Sequence, residues 1–458
     1  MRRSSATRGK RADGRPTGIA VIAVEGFKSL KERQSIDIRP LTLLAGANSS
    51  GKSSIMQPLL LLKQTLEAPY DPGALLLDGP NIRFTSTKQI LSRSGRQQGK
   101  GFGLWLLMHE SGHGLGFSFA TKPGGGFDIK HMLLGTGQYP EAFVLFPEMT
   151  HEQVIGIIPP EWKSVHSSLE ESPLGPGFNW TVVRDRCFLS LALTHPEMKT
   201  LKISLDQFIP PGMLPSRTLS PCIEGFIHLP GLRGNPERTY KTSAVAKNFP
   251  GTFENYVASV IHDWQENEPK KMDLLAKGLE KLELTWKVQA KQLDDTRVEL
   301  LVGRLPHSRP GGARDLVSIA DVGFGVSQTL PVLVALLVAQ PGQIVYLEQP
   351  EIHLHPKAQC GLARVLAEAA ERGVVTVVET HSALLLRKIQ TLVAQGELDP
   401  GLVKLHWFTR RTQDGATQVY SGDLDSAGRF GDWPEDFDEV ALEADRQYLD
   451  AVEARGIG

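Results

Sequence analysis

The sequence predicts a mixed α/β fold with a mainly parallel sheet, flanking helices and an inserted α/β lobe. Three observations predict it. A G-x-x-x-x-G-K-[ST] segment at residues 46–53 follows an apolar run and opens a helical pattern. Strand and helix patterns alternate over residues 344–395. Between the two lies a long stretch, about 70 to 310, rich in Gly, Pro and short strand-like pieces. A compact phosphate-loop core needs far fewer residues, so that stretch must be an insertion.

Each element has a local reason. Residues 19–24 and 35–45 are β-branched and aliphatic, hence strands. A helix runs from Lys52 to about Glu67 and ends near Pro69, which cannot continue it. In the middle, 102–108, 115–119 and 188–193 read as strands and 267–281 as a polar helix. No heptad or longer repeat is sustained. Order returns at 316–321, followed by an apolar helix at 328–339 and a strand at 344–347. A helix at 357–371, a strand at 374–378 and a helix at 383–395 complete the pattern. The expected division is a disordered basic tail (1–17), a core in two parts (18–70 and 311–420), the lobe (71–310) and a short acidic C-terminal element (421–458).

Composition narrows the class. The 458 residues are 41% hydrophobic and 22% charged, which suits a folded core. Basic and acidic residues number 50 and 51, so a wholly polycationic nucleic-acid binder is excluded, although a local basic groove is not. The apolar run at 330–338 is too short to span a membrane. Cys187, Cys222 and Cys360 are scattered and form no CxxC pair. A reducing cytoplasm is therefore expected.

The phosphate loop is Gly46-Ala47-Asn48-Ser49-Ser50-Gly51-Lys52-Ser53, followed by Ser54. Its glycines let backbone N–H groups turn toward phosphate oxygens, and the helix N-terminus adds partial positive charge. Lys52 suits the β- and γ-phosphates of ATP, and the Ser53 hydroxyl suits Mg²⁺. Glu348 ends the apolar run 344–347, where parallel sheets place ligand chemistry, and is the second expected Mg²⁺ ligand. His381 follows the next strand and could sense a γ-phosphate. Gly323, Gly325 and Ser327 precede an apolar helix and form a second anion cradle. The economical reading gives that cradle to the nucleotide of a second subunit; a plain helix cap by Ser327 is the alternative.

The order GANSSGKSS, DVGFGVSQTLP, IVYLEQPEIHLHP, VVETHS resembles P-loop ABC-type ATPase heads. It is most similar to the stand-alone AAA-15/AAA-21-like branch, related to RecF, SMC and OLD ATPases. The opening at 23–54 is similar to the start of RecF-like proteins, and GDLDSAGRFGDWPEDFDEV resembles a short C-terminal element of this branch in bacteria. The resemblance implies a homodimer, or higher oligomer, with ATP sandwiched between heads. Lys52, Glu348 and His381 of one subunit would face Gly325 and Ser327 of the other. It also implies a nuclease or toxin effector as partner, DNA as a candidate partner, and roles in DNA repair or anti-phage defence.

One departure matters. The usual Asp-Glu pair is Glu348-Gln349 here. Gln349 can orient water but cannot take its proton. Either ATP is hydrolysed slowly, with Glu351 or a substrate oxygen as base, or the closed dimer persists as a non-hydrolysing switch or scaffold. Slow hydrolysis is the reading favoured. Glu351, His353 and His355 would suit a metal by spacing, but in the resembled family this segment lies near the dimer interface. Arg233 and Arg238 suit phosphate recognition, or solvated charges on a turn. The basic residues between Lys270 and Arg297 are interleaved with acids and read as a solvated face.

Overall fold

The structure is a computed structural model. It describes residues 18–431 apart from 110–113, 137–138, 159, 172–176, 196, 198–201, 205–214, 246 and 306–314, together with 446, 447 and 450. The expected tail at 1–17 and most of the acidic element lie outside the described residues.

The central sheet has six strands. Strand β3 (Leu41–Gly46) is buried at every residue and lies in its middle. It pairs in parallel with β13 (Val375–Glu379) on one side and β14 (Val403–Arg410) on the other. Beyond β13 come β12 (Ile344–Glu348) and β8 (Ile227–Leu229), also parallel. Beyond β14 lies the antiparallel β15 (Thr417–Gly422). Alternate residues enter two different cores. Leu44, Tyr346, Val377 and Phe408 face α1 (Lys52–Glu67) and a second sheet. Leu43, Val345, Leu347 and Val378 face α4 (Phe324–Val338), α5 (Pro356–Glu371) and α6 (Ala383–Ala394). A sheet covered on both faces needs continuous apolar strands, as the sequence has.

The second sheet is antiparallel. It joins β2 (Gln34–Asp37) and β1 (Ile19–Glu25) to β4 (Gly101–Met108), β5 (Gly114–Thr121), β6 (Phe127–Thr136) and β7 (Tyr139–Leu145). The segment 71–310 is therefore woven into the rest: β4 pairs with β1, and β8 extends the central sheet. A third sheet holds β9 (Val288–Asp294), β10 (Arg297–Gly303) and β11 (Leu316–Ser318).

Three sequence expectations differ in detail. Residues 35–45 split into β2 and β3, which belong to different sheets; Pro40 sits between them. The polar helix expected at 267–281 is α3 (Pro269–Lys281), and a second helix not expected from the sequence, α2 (Val257–Asn267), precedes it, separated at Glu268, whose φ of −136° and ψ of 63° are not helical. Proline at the first position of α3 favours a new start there. Helix α4 begins at Phe324, four residues earlier than expected, with Gly323 as N-cap.

Candidate active site at the sheet edge

The site is built at the C-terminal ends of β3, β12 and β13. The phosphate loop leaves β3 and enters α1 through left-handed backbone at Ser49 (φ 59°) and Gly51 (φ 105°). Two glycines are sterically required. A Cβ at Gly46 would lie 2.2 Å from the Phe408 carbonyl oxygen, and one at Gly51 would lie 2.4 Å from Thr417 Oγ1. Thr417 Oγ1 contacts Ser29 Oγ at 2.8 Å and donates to the Ser50 carbonyl at 2.7 Å, so β15 braces the loop from outside the motif. Asn48 and Ser49 are exposed at the loop tip, while Ser50, Lys52 and Ser54 are buried and Gly51 and Ser53 half-buried. Ser50 Oγ is buried without a hydrogen-bond partner, an orphan that suits a phosphate cradle.

Lys52 Nζ donates to the carbonyls of Gly46 (2.9 Å) and Ala47 (2.8 Å). Burial holds its pKa below the usual lysine value, opposed by the charges of Glu379 and Glu351. Ser53 Oγ donates to Glu379 Oε2 at 2.8 Å, not to Glu348. Tyr346 OH donates to the other Glu379 oxygen. Glu379 is buried, and burial, together with the Glu348 charge, pushes its carboxyl up to about 7. The tyrosine and serine hydrogen bonds and Lys52 pull the other way.

Glu348 stands beside Glu379 in register across β12 and β13. Asn81 Nδ2 is 3.3 Å from His228 Nδ1, and donation there leaves His228 Nε2–H to bond Glu348 Oε1 at 3.1 Å. The Gly231 N–H donates to Glu348 Oε2 at 3.2 Å. Burial raises the Glu348 carboxyl, but His228, Gly231 and Arg233 outweigh it and leave it below its usual range. Lys28, in left-handed backbone (φ 50°), brings a cation within electrostatic reach of Glu348.

Gln349 also has positive φ (45°), and its N–H donates to the Glu379 carbonyl at 2.9 Å. Glu351 is buried; its Oε1 accepts from Thr380 Oγ1 (2.7 Å) and the His381 N–H (2.9 Å). Its Oε2 is buried and unpartnered. Burial and the Lys52 charge lower the His381 pKa, which keeps the ring neutral at neutral pH. His353 packs against the Phe324 ring, and His355 Nδ1 accepts the Lys357 N–H as the N-cap of α5, so the two histidines serve separate contacts.

The second cradle opens α4. Gly323 and Phe324 are exposed, and Ser327 Oγ lies 3.3 Å from the Phe324 carbonyl as donor, inside the first turn rather than capping it. Among the described residues no hydrogen bond joins Gly323, Gly325 or Ser327 to the phosphate loop. Arg233 links the two ends instead. Its buried guanidinium donates to the carbonyls of Gln328 and Glu348, each at 3.1 Å. Arg238 makes an exposed, two-pronged ion pair with Asp321.

Comparison with known proteins follows the same outline. A family model described as "AAA domain, putative AbiEii toxin, Type IV TA system" matches residues 194–387, and one described as an AAA ATPase domain matches residues 19–94. Both ends of the site lie within these matches. Both ends of the site are thus similar to AAA-type ATPase domains. The similarity supports an ATP-binding ATPase, and domains of this kind use nucleotide and typically Mg²⁺.

Solved structures similar to the head include an SMC head bound to the C-winged helix domain of ScpA (12% identity, TM-score 0.47, 89% of this chain and 98% of that one). The SMC head domain from Thermotoga maritima matches at 9% identity and a TM-score of 0.38, over 88% of this chain and 98% of that one. An SMC head with extended coiled coil bound to the C-terminal domain of ScpA, from Pyrococcus furiosus, matches at 11% and 0.46, over 95% and 100%. No curated protein matches the sequence. No helix among the described residues is long and apolar enough to cross a membrane.

Proposed function

We propose that this head binds Mg²⁺–ATP, closes into a homodimer around it, and hydrolyses it slowly to control a partner effector or DNA. The observation that carries the proposal is the convergence of Lys52, Ser53, Glu348, Glu351 and His381 at one sheet edge. Lys52 supplies positive charge to the phosphates. Ser53 and Glu348 would hold Mg²⁺, which neutralises charge on the phosphate oxygens when bound. Ser50 Oγ and the loop N–H groups suit the remaining phosphate oxygens. Gln349 orients water by hydrogen bonding. Glu351, held by Thr380 and the His381 backbone, keeps Oε2 free to take the water's proton. Neutral His381 donates a hydrogen bond without adding charge. Replacing a strong base beside the metal by Gln typically lowers rate by about 10²–10⁴-fold.

Dimerisation is supported by the exposed opening turn of α4, which has no hydrogen bond to its own phosphate loop among the described residues. Leu232, 91% exposed beside Arg233, and Phe324, 49% exposed, add apolar surface at that end. A nuclease or toxin effector, a cytoplasmic site of action and a part in anti-phage defence or DNA repair complete the proposal. A non-hydrolysing scaffold is the second reading, favoured specifically by Gln349. Light scattering with and without Mg²⁺–ATP tests closure. Wild type should double in mass, Lys52→Ala should stay monomeric without binding, and Ser327→Arg should bind ATP yet stay monomeric. A wild-type monomer saturated with ATP would contradict it.

A further inference from the structure

We propose that Glu379 is a positioning residue of the metal site, holding the Ser53 hydroxyl so that its lone pairs face the cation and adding a second carboxylate beside Glu348. The inference rests on the phosphate-loop reading above and goes beyond its motif residues. Its first support is register. Glu348 and Glu379 are paired positions on adjacent parallel strands, so both side chains leave the sheet toward the same side. Adjacent strands lie about 4.8 Å apart. Two carboxylates at that spacing, one of them only 4% exposed, are costly neighbours unless a cation answers them.

The protein's own cations answer them only in part, Lys28 and Arg233 acting on Glu348 and Lys52 on Glu379 through space. Among the described residues no lysine or arginine side chain hydrogen-bonds either carboxylate; Lys52 Nζ is turned to the Gly46 and Ala47 carbonyls. The contacts of Glu379 are hydroxyls, Ser53 at 2.8 Å and Tyr346.

The hydroxyl chemistry gives the role. A serine hydroxyl has one proton and two acceptor lone pairs. With its proton committed to Glu379, Ser53 offers only lone pairs in other directions, as a metal ligand must. Hard oxygen donors of this kind suit Mg²⁺, which keeps several waters and takes few protein ligands. Tyr346 fixes the second Glu379 oxygen, so the carboxylate cannot turn away from Ser53. The strands, not the phosphate-loop motif, supply this group.

The experiment compares fluorescent ATP-analogue affinity with Mg²⁺ and with EDTA, and follows Mn²⁺ binding directly by electron paramagnetic resonance. Wild type, Glu379→Gln, Glu379→Asp and Lys52→Ala are used as full chains, with thermal melting as the check of folding. Glu379→Gln should keep its affinity in EDTA within about threefold and lose at least about tenfold of the affinity gained from metal, with weaker Mn²⁺ binding. Glu379→Asp, which keeps the charge, should retain most of that gain; it carries the test if Glu379→Gln does not fold. A wild-type metal gain in Glu379→Gln would overturn the inference, as would equal losses with and without metal. Failure of the underlying reading looks different: Lys52→Ala would then bind nucleotide as well as wild type.

Discussion

Two places in this head bury ionisable side chains, and they solve the problem in opposite ways. At the seam between α1 and the segment around 224–251, Lys63 is fully buried and paired with Glu67 one turn on. Lys63 also donates to the carbonyls of Glu224 (3.3 Å) and Phe249 (3.2 Å), and Glu67 accepts the Gly251 N–H at 3.0 Å. Every charge there meets an opposite charge or a dipole. At the sheet edge, Glu348 and Glu379 stand side by side with like charge, and Glu351 Oε2 has no partner. The first arrangement serves folding. The second costs folding energy and makes sense as a seat for a cation and phosphates.

Mutations should break that comparison in opposite directions. The largest expected effect is functional: Lys52→Ala removes the only loop cation and should abolish ATP binding, read by calorimetry, with little change in melting temperature. Next, Lys63→Met leaves Glu67 buried without its partner and should cost about 3–5 kcal/mol, read by urea denaturation. Glu379→Gln should do the reverse and raise stability in metal-free buffer at pH 8. The sign follows from the raised carboxyl, about 7 when folded against an ordinary value of 4.5. The folded state holds the proton more tightly, so stability falls as pH rises through that window. A Glu379→Gln protein less stable than wild type at pH 8 would refute the like-charge reading.

A third buried group sharpens the contrast. His406 on β14 is fully buried, with Nδ1 2.8 Å from Ser421 Oγ and Nε2 2.9 Å from the Asp37 carbonyl. Burial lowers its pKa to about 4 from 6.5. The unfolded chain binds the proton first, so stability present above about pH 6.5 is lost on the way down to 4. At about 1.4 kcal/mol per unit this amounts to about 3 kcal/mol. His406→Gln should flatten that acid limb. The smallest effect is expected at the exposed Arg238–Asp321 pair, where Arg238→Ala should leave the melting temperature unchanged within error.

The phosphate loop was legible because its residues are consecutive and its flanks have the right periods. Glu348 and His381 were legible as strand-end residues. Glu379 was in plain view in VVETHS, yet its role depends on which strand lies between β12 and β3, and strand order is not written in local pattern. The braces Thr417 and His228 come from residues far along the chain, 367 positions from Ser50 and 120 from Glu348. Helix α4 began earlier than expected because Gly323, with no side-chain cap, starts it where a serine was the stronger local signal. The missed helix α2 is apolar on its buried side, with Val260, Ile261 and Trp264 inside, and reads as core only once its neighbours are known.

Steady-state ATP hydrolysis by the purified protein, with Lys52→Ala as the blank, tests the central claim most directly. Slow turnover above the blank, further reduced by Glu351→Gln, is the predicted result. ATP binding without any turnover above the blank would contradict it and leave a nucleotide-held scaffold in its place.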